Sequence, residues 1–148
     1  MGFKRPESVL VVVYNEDNQI LCLQRQDDPD FWQSITGTME VGEEPLVTAI
    51  REVAEEIGVD VNSPENGYHL VDARVVNQYA IRKEWQYRYG PGNTVNTEYV
   101  FYLKIAKEES IVLTEHLAYH WLSLDKALAL LWSPSNVAAV KRLQSHLV

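Results

Sequence analysis

A mixed α/β (α+β) domain is what three observations in this sequence predict. Ser8 to Tyr14 is a nearly continuous apolar, β-branched run, the pattern of a strand buried on both faces. Pro45 and Gly58 bracket a stretch with helical periodicity, proline suiting a first helical turn and glycine the left-handed residue just past the end. After further strand-like stretches, the chain closes with two amphipathic segments, Leu124 to Leu131 and Asn136 to Leu147, which read as helices.

Taken in order, Asn15 to Asn18 supply turn residues and Gln19 to Gln24 return as the partner strand of a hairpin. Lys4 and Arg5 precede the first strand, and Arg25 ends the second, where a cation can reach a bound phosphate. The acidic turn Asp27 to Asp30 leads into a short strand from Phe31 to Gly37. Trp32 within it reads equally well as core or as a platform for a substrate ring. A loop follows from Gly37 to Glu44, then a helix from Pro45 to Ile57. At about 100° per residue, Leu46, Ala49, Ile50, Val53 and Ile57 form its core-facing stripe.

Pro64 to Gly67 reads as a turn within the domain. Tyr68 to Ile81 alternates like a long strand, and Glu84 to Tyr89 continues it with Trp85, Tyr87 and Tyr89. Gly90 to Asn93 break the chain, and Thr97 to Ile105 is a further strand carrying Glu98. Ile111 to Leu113 is a short apolar piece, Thr114 to His116 a polar break, and Ala118 to Leu122 a strand with Trp121 inward. Ser123 and Ser135 read as N-caps of the last two helices.

The 148 residues fit one domain, 1–148, long enough to bury about two-thirds of the unfolded chain's surface. A net charge of −8 argues against nucleic acid or anionic membrane as a partner. No apolar stretch has membrane-spanning length and Met1 to Pro6 is not a leader, so cytoplasm is the expected location. No obligate protein partner is indicated. The single Cys22 reads as a small buried hydrophobe. His69, His116, His120 and His146 have no metal-ligand spacing and read as structural.

Chemistry concentrates between Gly37 and Val59, GTMEVGEEPLVTAIREVAEEIGV. Glu52, Glu55 and Glu56 share one helix face at i, i+3, i+4 spacing. Such carboxylates repel by a few tenths of a kcal/mol per pair, and a divalent cation offsets that cost. Hard oxygen ligands suit Mg²⁺ or Mn²⁺, which keep waters and share substrate phosphates. The alternative is a solvated acidic face, but the pattern is longer than these three residues. Gly37, five residues, Glu43, seven residues, then Arg51-Glu52-Val53-x-Glu55-Glu56-x-Gly58-Val59 resembles the Nudix box position by position.

That resemblance implies the Nudix fold, a mixed β-sheet sandwiched between α-helices, and hydrolysis of a nucleoside diphosphate linked to another moiety. It makes Glu52, Glu55 and Glu56 metal ligands, with the Gly37 carbonyl as a further one. Glu43 and Arg51 become the supporting pair that holds loop to helix. A carboxylate from outside the box often completes such sites, and Glu98 and Glu115 are the two candidates.

The words around the box, among them KRPESVLVVVY, LQRQDDPDFWQSITG, RYGPGNTVNTE and TEHLAYHWL, resemble a narrower branch of the family. That branch acts on dihydroneopterin triphosphate in bacterial folate biosynthesis. This likeness favours Glu115 over Glu98 as metal ligand and base. It implies substrate contacts from Lys4, Arg25, Thr36, Tyr79, Ala80, Ile81, Arg82 and Ser133, with Trp32 or Tyr79 stacking on the ring. The expectation is Mg²⁺-dependent release of pyrophosphate from a small triphosphate, with Glu115, Glu55 and Arg51 as the catalytic set. A Nudix enzyme for (deoxy)nucleoside triphosphates and a non-catalytic nucleotide-binding module are the alternatives.

Overall fold

The apolar run near the N-terminus becomes the centre of the molecule because it is buried on both sides. In the computed structural model, which describes residues 2–147, β1 (Glu7–Tyr14) lies inside a seven-stranded mixed sheet. Around it stand β2 (Ile20–Arg25), β3 (Trp32–Gln33), β4 (Ile35–Thr38), β5 (Leu70–Ala80), β6 (Val95–Lys104) and β7 (His116–Leu122). The order β3-β2-β1-β6-β5 is completed by β4 on β1 and β7 on β2. Only β1 and β6 among these pairs run parallel.

Alternation along β1 divides its side chains between two cores. Val9, Val11 and Val13 meet Ala49, Val53 and Ile57 of α1 (Pro45–Ile57). Leu10 and Val12 meet Ala127 of α2 (Leu124–Leu130) and Ala139, Val140 and Leu143 of α3 (Pro134–Leu147). The sheet is therefore sandwiched between helices, as expected. Cys22 is buried in the second core, where burial pushes its thiol up to about 12. No helix of the described residues is long and apolar enough to cross a membrane.

The helix α1 begins and ends at the expected residues, with Gly58 at φ 72° closing it. Four details differ from expectation. Gly37 lies in β4, paired with Val9, instead of opening the loop. Leu46 is 48% exposed, because the first turn of α1 faces the box loop and buries Thr48, whose hydroxyl donates to Glu43 at 2.8 Å. Ser135 lies within α3, whose first residue is Pro134, so proline at the first turn sets the start. Ser123 does cap α2, accepting from the Lys126 N–H.

The fourth difference is Lys83–Arg88, a 3₁₀ helix where an extended continuation of β5 was expected. The Trp85 N–H closes on the Arg82 carbonyl at 2.8 Å, and the Gln86 side chain donates to the Ile81 carbonyl at 3.0 Å. Within this turn Trp85 is half-buried, whereas Tyr87 stays exposed.

Candidate active site

The box loop and α1 are locked by one arginine. Arg51 Nε and Nη2 donate to the two Glu43 oxygens at 2.7 and 2.9 Å, and Nη2 also donates to the Thr38 carbonyl at 3.0 Å. Glu43 Oε1 accepts from the Glu40 N–H and the Thr48 hydroxyl as well, both at 2.8 Å. The bond to Arg51 is the main reason the Glu43 carboxyl falls to about 2. Through Nη1, Arg51 reaches Glu52 at 2.8 Å and Glu55 at 3.2 Å. It is a positioning residue that bridges strand, loop and helix.

Glu52 and Glu56 are buried side by side on the inner face of α1, 9% and 3% exposed. Burial raises both carboxyls, Glu56 the more strongly, and the neighbouring Glu52 raises Glu56 further. Glu56 Oε1 is fully buried with no hydrogen-bond partner among the described residues. His116 Nε2 stands 3.7 Å from it. Gly37 packs so tightly under Glu52 that a Cβ there would overlap the carboxylate. A paired, desolvated carboxylate set with an orphaned oxygen fits a hard divalent cation. Glu55 faces outward on Arg51, and among the described residues no three acidic, His or Cys side chains alone enclose an ion.

Glu115 enters from the loop before β7. Thr114 ties that loop to α1, its hydroxyl donating to the Glu55 carbonyl at 2.7 Å. The Glu115 charge is near enough to help raise Glu56. These groups line one end of a cleft of about 1000 Å³. Lys4, Arg25, Thr36, Gly37, Tyr79, Ala80, Ile81, Arg82 and Ser133 also line it, as does Glu98.

Trp32 is the exception among the expected contacts. In a strand neighbouring side chains point to opposite faces. Gln33 takes the cleft, and Trp32 packs half-buried against the second core, stacked on His120 at 5.0 Å. The cleft's tryptophans are Trp85 and Trp132, which sequence reasoning did not single out. Trp132 stacks on Phe31 at 4.7 Å and meets Trp85 edge-on at 6.2 Å, with Arg82 above all three rings. His116 was also missed as a site residue, and burial lowers its basicity. Its only sequence signal was its place beside Glu115.

Arg25 is not free to act alone on a phosphate, since both its Nε and Nη2 hold Asp27, at 2.7 and 2.6 Å. Lys4 is exposed at the rim, its N–H bonded to the Arg88 carbonyl at 2.8 Å.

Known proteins share this arrangement along nearly the whole chain. The dihydroneopterin triphosphate diphosphatase of Escherichia coli K12 is 46% identical over 141 residues, 95% of this chain and 93% of that protein. The Haemophilus influenzae protein of the same name is 44% identical over 143 residues, 96% and 89% of the two chains. The solved structure of the E. coli dihydroneopterin triphosphate pyrophosphohydrolase matches with a TM-score of 0.88 at 45% identity, covering 96% of this chain and 97% of that one. The family model described as NUDIX domain matches residues 4–143. With the box residues gathered around buried carboxylates as that family requires, this chain belongs to the Nudix hydrolases.

Proposed function

We propose that this protein hydrolyses 7,8-dihydroneopterin triphosphate to the monophosphate and pyrophosphate, with Mg²⁺ as cofactor and Mn²⁺ able to replace it. The observation that carries the chemistry is the buried Glu52–Glu56 pair, with an orphaned oxygen, lining a cleft whose volume of about 1000 Å³ has room for a small triphosphate. Support for the pterin comes from the bacterial relatives, whose names state that substrate. The enzyme acts on a free small molecule, and a cytoplasmic location fits that role.

Glu52 and Glu56, with Glu115 and the Gly37 carbonyl, would hold the cation, and Glu55 would join them only by leaving its ion pair with Arg51. When bound, a divalent cation supplies charge neutralisation and Lewis acidity at the phosphate oxygens. Glu115, accessible on its tethered loop, orients a water and accepts its proton, assistance typically worth about 10² to 10⁴ in rate. Lys4, Arg25 and Arg82 neutralise the triphosphate from the rim, Arg25 by sharing its guanidinium with Asp27. Thr36 and Ser133 offer hydroxyls, and Tyr79 to Ile81 form the wall against the ring. Arg51 contributes by fixing Glu52 and the box loop.

Product analysis tests this directly. Purified protein with Mg²⁺ should release pyrophosphate from dihydroneopterin triphosphate faster than from any of a panel of nucleoside triphosphates. Preference for a nucleotide would overturn the pterin assignment, and no Mg²⁺-dependent hydrolysis of any triphosphate would overturn the enzymatic one.

A further inference from the structure

One buried carboxyl in the cleft takes no part in this mechanism. Glu98 is 3% exposed and lines the cleft from β6. Side chains alternate along β6, so Glu98 shares a face with Asn96, Val100 and Tyr102. Val100 and Tyr102 pack in the core beneath α2 and α3, whereas Phe101 and Leu103 pack beneath α1. Glu98 therefore points to the face of the sheet opposite the helix that carries Glu52 and Glu56. On that face it stands apart from the box carboxylates, which α1 holds on the other.

Its neighbours there are neutral and polar. Asn77 Nδ2 donates to Glu98 Oε1 at 3.2 Å, and the Ser135 and Tyr79 hydroxyls are near enough to favour its charged form against the burial that disfavours it. Asn96, 4% exposed, donates to Ser8 Oγ at 2.7 Å and to the Tyr79 hydroxyl at 3.1 Å. Its Oδ1 receives no hydrogen bond among the described residues. No Lys or Arg pairs with Glu98 among the described residues. A buried carboxyl in such surroundings is costly unless strong donors reach it.

We propose that Glu98, with Asn96 beside it, reads the ring N–H and exocyclic amine of a 2-amino-4-oxopyrimidine, the edge that a dihydropterin shares with guanine. A carboxylate accepts two parallel N–H donors as it accepts a guanidinium. Adenine and cytosine present an acceptor where this edge has its ring N–H, and hypoxanthine lacks the amine. Each leaves a buried polar group unpaired, which is the strong form of discrimination. The inference rests on the triphosphatase reading for its substrate, but on the ring edge and not on the pterin as such.

The test compares kcat/KM of wild type, Glu98→Gln and Glu98→Asp for dihydroneopterin triphosphate, dGTP, dITP and dATP. It adds fluorescence titration of phosphate-free dihydroneopterin in EDTA. Wild type should prefer dGTP over dITP and dATP. Glu98→Gln should cut the dGTP-to-dATP ratio by about 10- to 100-fold, mainly through KM, and weaken dihydroneopterin binding similarly. Glu98→Asp should fall between the two. An unchanged ratio overturns the inference, whether all rates fall together, as for a structural role, or none falls. Wild type with no preference for the amino-oxo edge overturns it even if the variants do not fold. Preference for dGTP over the pterin would sink the substrate proposed above and leave Glu98's role standing. If no triphosphate is hydrolysed, dihydroneopterin binding unaltered by Glu98→Gln would overturn it.

Discussion

Glu56→Gln should move stability and turnover in opposite directions. In the metal-free protein Glu56 Oε1 is buried without a partner and faces Glu52. Leaving a buried polar group unsatisfied costs about 1–3 kcal/mol, more when it is charged. Because burial raises the Glu56 carboxyl, the folded state holds its proton more tightly than the unfolded chain. The stability linked to that proton is fully present below the ordinary glutamate range and is lost as pH rises through the folded-state value. Glutamine mimics the protonated form at every pH. In EDTA at pH 8.5 the variant should therefore be more stable than wild type by about 1–3 kcal/mol. At this chain length that is about 3–10 °C in Tm, and the gap should shrink at pH 5. Saturating Mg²⁺ should stabilise wild type and not the variant, and turnover should fall by at least about 10²-fold. Differential scanning calorimetry with and without Mg²⁺, beside pyrophosphate release, checks both signs. A variant with unchanged metal-free Tm at pH 8.5 and wild-type kcat would refute the reasoning, since a solvated glutamate would give that result.

The remaining expectations follow from the same locked helix. Gly37→Ala puts a methyl into the Glu52 carboxylate, so kcat/KM should drop about 10- to 100-fold while the Mg²⁺ requirement rises; a Mg²⁺ titration of activity matching wild type would contradict the contact. Arg51→Lys keeps the charge but loses the paired donors to Glu43 and the bond to the Thr38 carbonyl. It should cost about 1–3 kcal/mol by urea unfolding and about 10- to 100-fold in activity, and a silent variant would show that the clamp is idle. Because Arg51 holds Glu43 down to about 2, below its usual range, that pair's stabilisation is present above about pH 4.5 and is lost as pH falls toward 2. Wild type should accordingly lose stability on acidification over that window more steeply than Glu43→Gln, as read by Tm against pH.

What the sequence made legible was whatever a single element carries. Pro45 and Gly58 mark both ends of α1 because capping is local, and the run at Ser8 to Tyr14 announced a strand buried on two faces because burial leaves its mark on every residue. The cleft's ring end was not legible, because it is assembled by register between distant segments. Ser34 meets Asn136 through bonds of 2.8 and 2.9 Å across 102 positions, and Asn96 meets Ser8 at 2.7 Å across 88. No spacing rule relates such residues, and Glu98 could be weighed only as a metal ligand or base because the sheet face it occupies was unknown. Trp32 and Trp85 fail for related reasons. One aromatic in a two-residue strand points to either face with equal ease, and β3 gives the cleft to Gln33. Trp85 sits in a stretch that alternates like a strand but coils, its N–H closing on the Arg82 carbonyl, with Arg82 set over three rings that come from separate segments. Function in this fold thus divides along the same line. The proposed metal chemistry is written in one helix and its loop, whereas the proposed choice of ring would depend on which face of β6 the chain turns toward α3.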